Sequence, residues 1–108
     1  MKYMRKQANI SMKENSDFLS CLGLAKKAGK LVIGWDRIKE YNGNVDLLII
    51  SSDASEKVSV SANKSYKNVL VVSENMNEIG SALGINKTAF IAVTDSGFSN
   101  LLVNKYQK

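Results

Sequence analysis

From Ser16 onward the apolar positions fall into a helical rhythm: Phe18, Leu22 and Ala25 stand at i, i+4 and i+7, and Leu19, Cys21, Leu24 and Ala28 widen the same face. Gly29 is the expected stop, because a glycine accepts the left-handed conformation that closes a helix. The run Leu31-Val32-Ile33 predicts a strand ending at Gly34, and Trp35, Ile38 and Tyr41, spaced three apart, predict a short second helix. Asn42-Gly43-Asn44 is turn chemistry. Leu47-Leu48-Ile49-Ile50 is then an uninterrupted apolar run, which predicts a central strand covered on both faces. Asp53 with Glu56 three residues on resembles a helix-starting cap, so a third helix is expected to about Lys64. The alternation Val58-Ser59-Val60-Ser61 fits a strand equally well on period alone.

Val69-Leu70-Val71-Val72 predicts another buried strand. Asn75 with Glu78 opens a helix carrying Ile79, Ala82 and Leu83 and stopped by Gly84, Thr88 to Val93 is a further strand, and Thr94-Asp95-Ser96 caps a last helix with Phe98, Leu101 and Leu102 as its stripe. Strands alternating with helices argue for a single α/β domain over residues 16–108, a three-layer α/β/α sandwich around a small mixed central sheet. There is no repeat, no low-complexity tract and no proline. Residues 1–15 show no sustained period and are expected to form a mobile basic N-terminal tail, with Met12 an alternative start.

The chain has 108 residues, room for one core and no second module. Fifteen Lys and Arg stand against ten Asp and Glu, a net charge of +5 that suits an anionic partner such as RNA. The bias is modest, since Lys2, Arg5 and Lys6 all precede Met12. With no His and a single Cys there is no Cys/His zinc cluster and no Cys-His or Ser-His nucleophilic pair. No metal and no catalytic residue is assigned. No phosphate loop or Gly-x-Gly-x-x-Gly follows any strand, so no cofactor is expected. Asp53 is read as a helix cap rather than a phospho-acceptor or metal ligand, and Cys21 as a packed thiol. The lone cysteine suits a reducing compartment, and no stretch approaches a membrane span, so the expected location is the cytoplasm.

The segment Leu22-Gly23-Leu24-Ala25-Lys26-Lys27-Ala28-Gly29-Lys30-Leu31-Val32 with Gly34 resembles the opening signature of the bacterial YlxQ-like branch of the kink-turn-binding ribosomal-protein superfamily. Two further matches follow in order, Ser52-Asp53-Ala54-Ser55-Glu56 and Ile79-Gly80-x-Ala82-x-Gly84, so the resemblance spans residues 17 to about 102. It implies a non-catalytic, monomeric RNA-binding protein of ribonucleoprotein type whose partner is structured RNA, kink-turn-like or bulged and possibly ribosomal, with no role for DNA or a membrane.

The implied surface is the start of the second helix and the neighbouring loops. Gly34 lets the backbone come close to a ligand, and a helix opening at Trp35 presents unpaired N–H groups to phosphate or base acceptors. Lys26, Lys27, Lys30, Arg37 and Lys39 lie in or beside this segment as candidate phosphate contacts. Ile85, Asn86 and Lys87 fall where relatives make a loop that closes around an extruded nucleotide; Ile85 is alternatively a core anchor below that loop. Trp35 either packs under the second helix or stacks on a base. Asp36 and Arg37 occupy the places where kink-turn readers carry Asn-Glu or Lys-Gln, Glu40 occupies the place of a Lys, and the stretch from Gly34 to Asp53 is about two residues short. These departures alter the groups that read base edges and leave a second reading open, a protein–protein adapter that keeps the fold.

Overall fold

A computed structural model describes the backbone from Arg5 to Gln107 and side chains from Ser16 to Tyr106. Its order is α1 (Arg5–Lys27), β1 (Leu31–Ile33), α2 (Trp35–Glu40), β2 (Leu47–Ile50), α3 (Glu56–Ser65), β3 (Val69–Val71), α4 (Met76–Leu83), β4 (Phe90–Val93) and α5 (Ser96–Gln107). The backbone of α1 is helical from Arg5. The expected basic tail over residues 1–15 otherwise falls outside the residues whose side chains are described.

The strands form one mixed sheet in the order β1-β4-β2-β3. β2 and β3 are parallel, whereas β4 runs antiparallel to both β1 and β2, with Leu31 opposite Val93 and Ile50 opposite Phe90. Period-two alternation sends neighbouring residues to opposite faces. Leu47, Ile49, Ile91 and Val93 join Phe18, Leu22, Ile79, Leu83 and Leu102, so α1, α4 and α5 cover one face. Leu48, Ile50, Phe90 and Ala92 join Ile38 and Ala62, so α2 and α3 cover the other. Both inner strands are buried along their whole length, the three-layer α/β/α sandwich that uninterrupted apolar runs require.

Local chemistry sets the boundaries. Gly29 (φ 75°) and Gly84 (φ 73°) close α1 and α4 in the left-handed region. α4 opens with a complete capping box: Glu78 N donates to Asn75 Oδ1 and Asn75 N donates to Glu78 Oε1, both at 2.8 Å. Asp95 Oδ2 accepts from Phe98 N at 2.9 Å at the start of α5. α3 is a helix rather than a strand because Val58, Ala62 and Tyr66, each four apart, all reach the same core cluster. The fourth strand is shorter than expected. Thr88 lies before it, its hydroxyl donating to Phe90 O at 3.2 Å instead of pairing in the ladder.

Asp53 does not cap α3, whose N-cap is Ser55 without a side-chain bond. Its Oδ1 instead accepts from Ser51 Oγ at 3.0 Å and from Met76 N at 2.9 Å, in the first turn of α4. The cap predicted at this residue thus serves a helix twenty-three positions away. Among the described residues no helix is long and apolar enough to cross a membrane, and no group of three or more His, Cys, Asp or Glu is placed to hold a metal.

Candidate nucleic-acid interface

β1, β2 and β3 all end, and β4 begins, at the same end of the sheet, as the pairings of Ile33 with Ile91 and Ile50 with Phe90 require. Four connections therefore meet there. Gly34 N donates to Phe90 O at 3.0 Å, Ser51 N to Ala89 O at 2.9 Å, and Ser52 N to Glu74 O at 2.9 Å. Met76 closes the circuit, its N–H bound by Asp53 and its carbonyl accepting from Thr88 N at 3.3 Å. A surface carried on loops knitted in this way is held in place by the sheet beneath it.

Gly34 is the N-cap of α2 at φ 99° and ψ 137°, a conformation closed in practice to residues with a side chain, and an added Cβ would meet nothing within 4 Å. The space above it is open, so the conformation and not the packing calls for glycine. α2 has six residues, so what it offers is exposed N–H groups more than an extended macrodipole. Asp36 and Arg37 project from it into solvent, and Lys39 reaches back to Asp36 at 3.7 Å, an exposed pair of small energetic weight. Trp35 is half-buried, its ring 5.3 Å from Phe90 and 6.2 Å from Tyr66. Of its two readings the structure supports packing under α2.

Ile85-Asn86-Lys87 lies at the same end, and Gly80 explains its position. A Cβ on Gly80 would fall 2.6 Å from Lys87 Cα and 2.8 Å from Asn86 C, so only glycine lets the loop rest on α4. Ile85 N donates to Gly80 O at 2.9 Å while the Ile85 side chain packs against the main core, which makes it the anchor below the loop. Asn86 and Lys87 are left exposed.

Gly34, Trp35, Asp36 and Arg37 are thus brought together with Ile85, Asn86 and Lys87. Lys26, Lys27 and Lys30 are not. Lys30 O accepts from Thr94 N at 2.9 Å, which places this lysine at the opposite end of β1, and Lys26 and Lys27 lie in the last turn of α1 beside it. At about 3.3 Å per residue, Lys30 and Gly34 are roughly 13 Å apart. Lys57, in the first turn of α3, belongs to the Gly34 end but was not singled out from the sequence. Its signal was topological: a helix following a strand parallel to its neighbour starts at that strand's C-terminal end. Among the acidic groups here, Asp53 and Glu78 are engaged by amides at the start of α4 and Glu74 is buried, while Asp36 and Glu56 are exposed, as are Arg37, Lys57 and Lys87.

No family model matches the sequence. The RNA-binding protein YlxQ of Bacillus subtilis (strain 168) is 35% identical over 94 residues, covering 82% of this chain and 93% of that protein. The chain belongs to the YlxQ family. This is the bacterial YlxQ-like branch to which the three motifs pointed. A solved structure from Bacillus halodurans, of a protein with unknown function, superposes with a TM-score of 0.73 at 36% identity, covering 84% of this chain and 97% of that one. The Giardia lamblia 15.5kD RNA binding protein shares the fold at 14% identity, with a TM-score of 0.64 over 88% of this chain and 86% of that one. The YlxQ-like sandwich described above is therefore kept across very different sequences.

Proposed function

We propose that this YlxQ-family protein is a non-catalytic, monomeric RNA-binding protein of the cytoplasm that engages a bent or bulged structured RNA, ribosomal RNA among the candidates, through the Gly34 end of its sheet. The observation that carries the reading is the 35% identity across 93% of a protein named as RNA-binding. The site supports it in physical terms. Open space above Gly34, exposed N–H groups at the start of α2, and Arg37, Lys57 and Lys87 around them offer a close approach for backbone phosphates. Trp35 is half-buried with its ring packed against Phe90 and Tyr66, which favours a structural part for the indole over the exposed docking anchor an adapter would present.

Asp36 and Arg37 replace the residue types with which kink-turn readers recognise base edges, and Glu40 stands in the place of a Lys, so the proposed preference is for RNA shape over the kink-turn's own bases. The test is a titration against a kink-turn duplex, a straight duplex of matched composition and bulk ribosomal RNA at several salt concentrations. The expected result is tighter binding to the bent or ribosomal RNA, with affinity falling steeply as salt rises. Lys87→Ala should weaken binding and flatten the salt dependence by about one phosphate contact, a change of roughly 0.7–0.9 in the logarithmic slope. Equal, salt-insensitive binding to all three RNAs, or an unchanged Lys87→Ala variant, would remove the proposed face.

A further inference from the structure

At the opposite end of the sheet, away from Gly34, a cleft of 660 Å³ opens between the starts of β2 and β3 and one side of α5. Its floor is apolar, formed by Leu47, Val69, Leu70 and Val103. Its rim carries the carboxamides of Asn68, Asn100 and Asn104, the ammonium of Lys67, and Asp46. Asn100 and Asn104 are one helical turn apart and so face the same way. Asn68 is held by its Nδ2, which donates to Asp46 O at 3.1 Å and leaves its own oxygen as an acceptor. Beside the cleft Ser99 is 7% exposed, and its Oγ has no hydrogen-bond partner among the described residues.

We propose that this cleft takes a single unpaired nucleobase, read at its edge by the carboxamides of Asn68, Asn100 and Asn104, with Lys67 on the attached phosphate. A carboxamide presents a donor and an acceptor in one plane, the pattern that matches the edge of a base, and the apolar floor suits its flat face. Asp46 adds an acceptor for an exocyclic amine. An acyl chain would leave the amides unpaired, and a bare anion would leave the floor uncovered and meet Asp46. The volume falls within the range of small-ligand sites. The assignment to a base within RNA rests on the RNA-binding reading above; a free mononucleotide presents the same chemistry.

The experiment is nuclear magnetic resonance of the full chain titrated with each of the four nucleoside monophosphates, with inorganic phosphate, and then with structured RNA. Saturable shifts of the Asn68, Asn100 and Asn104 side-chain amides with one or two of the nucleotides, and with RNA, support the pocket. Asn104→Leu, at an exposed helical position, should bind that nucleotide about 5- to 150-fold more weakly, the effect of losing one base contact, at unchanged melting temperature. Shifts from inorganic phosphate that match those from the nucleotides, or no shifts of the amides, would overturn the pocket even if the parent binds structured RNA. Mononucleotide shifts in a parent that binds no RNA would overturn only the assignment to RNA and leave a free-nucleotide site.

Discussion

Two glycines do opposite work at the Gly34 end of the sheet. Gly34 has room for a side chain but a backbone that excludes one, so Gly34→Ala should cost about 1–3 kcal/mol of conformational strain, read as a lowered denaturation midpoint with an unchanged urea slope. Gly80 sits in ordinary helical backbone and has no room. Gly80→Ala should lift Asn86 and Lys87 off α4, which predicts faster amide exchange over residues 85–88 and weaker RNA binding. Cys21 offers a third test. Burial pushes its thiol up from the ordinary value, against a smaller lowering by Lys105. The neutral thiol is the form the folded state favours, so any stability it confers is present at neutral pH and lost as pH rises into the thiol range. Alkylation of the native protein by iodoacetamide at pH 8 should therefore be slow and should become fast on unfolding.

Elements whose limits are set by neighbours in the chain were legible in the sequence. β1 and β2 lie where the apolar runs placed them, and α4 begins and ends at the predicted Asn75 box and Gly84, so Asn75→Ala should cost about 0.5–2 kcal/mol in chemical denaturation. What depends on residues far apart in the chain was not legible. Asp53 carries the right chemistry for a cap, but the amide it binds belongs to α4, and no local pattern names that helix. The candidate lysines sit close together in sequence around β1, yet an extended strand carries Lys30 away from Gly34. Conversely, the meeting of Gly34 with Ile85-Asn86-Lys87 follows from the pairing of β1 with β4, and at the sequence level it came only from the family resemblance. α5 holds one more element-scale test. Ser99→Ala removes a buried hydroxyl without a partner and installs a better helix former, so the variant should be more stable by about 1 kcal/mol in the same assay.

At the scale of the molecule the first and last helices are clasped together. Phe18 on α1 meets Tyr106 on α5 edge to face at 5.0 Å, and the Tyr106 hydroxyl accepts from Ser73 N at 2.7 Å, tying α5 to the connection after β3. Tyr106→Phe keeps the ring contact and loses this bond together with the longer one that the hydroxyl donates to Ser73 Oγ at 3.3 Å, so a thermal melt should report a loss of at least about 0.5–1.5 kcal/mol. The position of β4 has a different kind of consequence. It is the last strand in the chain and yet lies between β1 and β2, so neither of those can find its antiparallel neighbour until β4 has been made. At about 5–20 residues per second, Val93 leaves the peptidyl-transferase step roughly 3 to 12 s after Leu31, the residue it will face. For that interval β1 has no strand to pair with and β2 has at most its parallel neighbour β3, a window in which a chaperone that shields extended hydrophobic segments has a substrate and a half-made copy has an opportunity to aggregate. A nascent chain stalled at Ala89 should be cut rapidly by a protease that spares the finished protein.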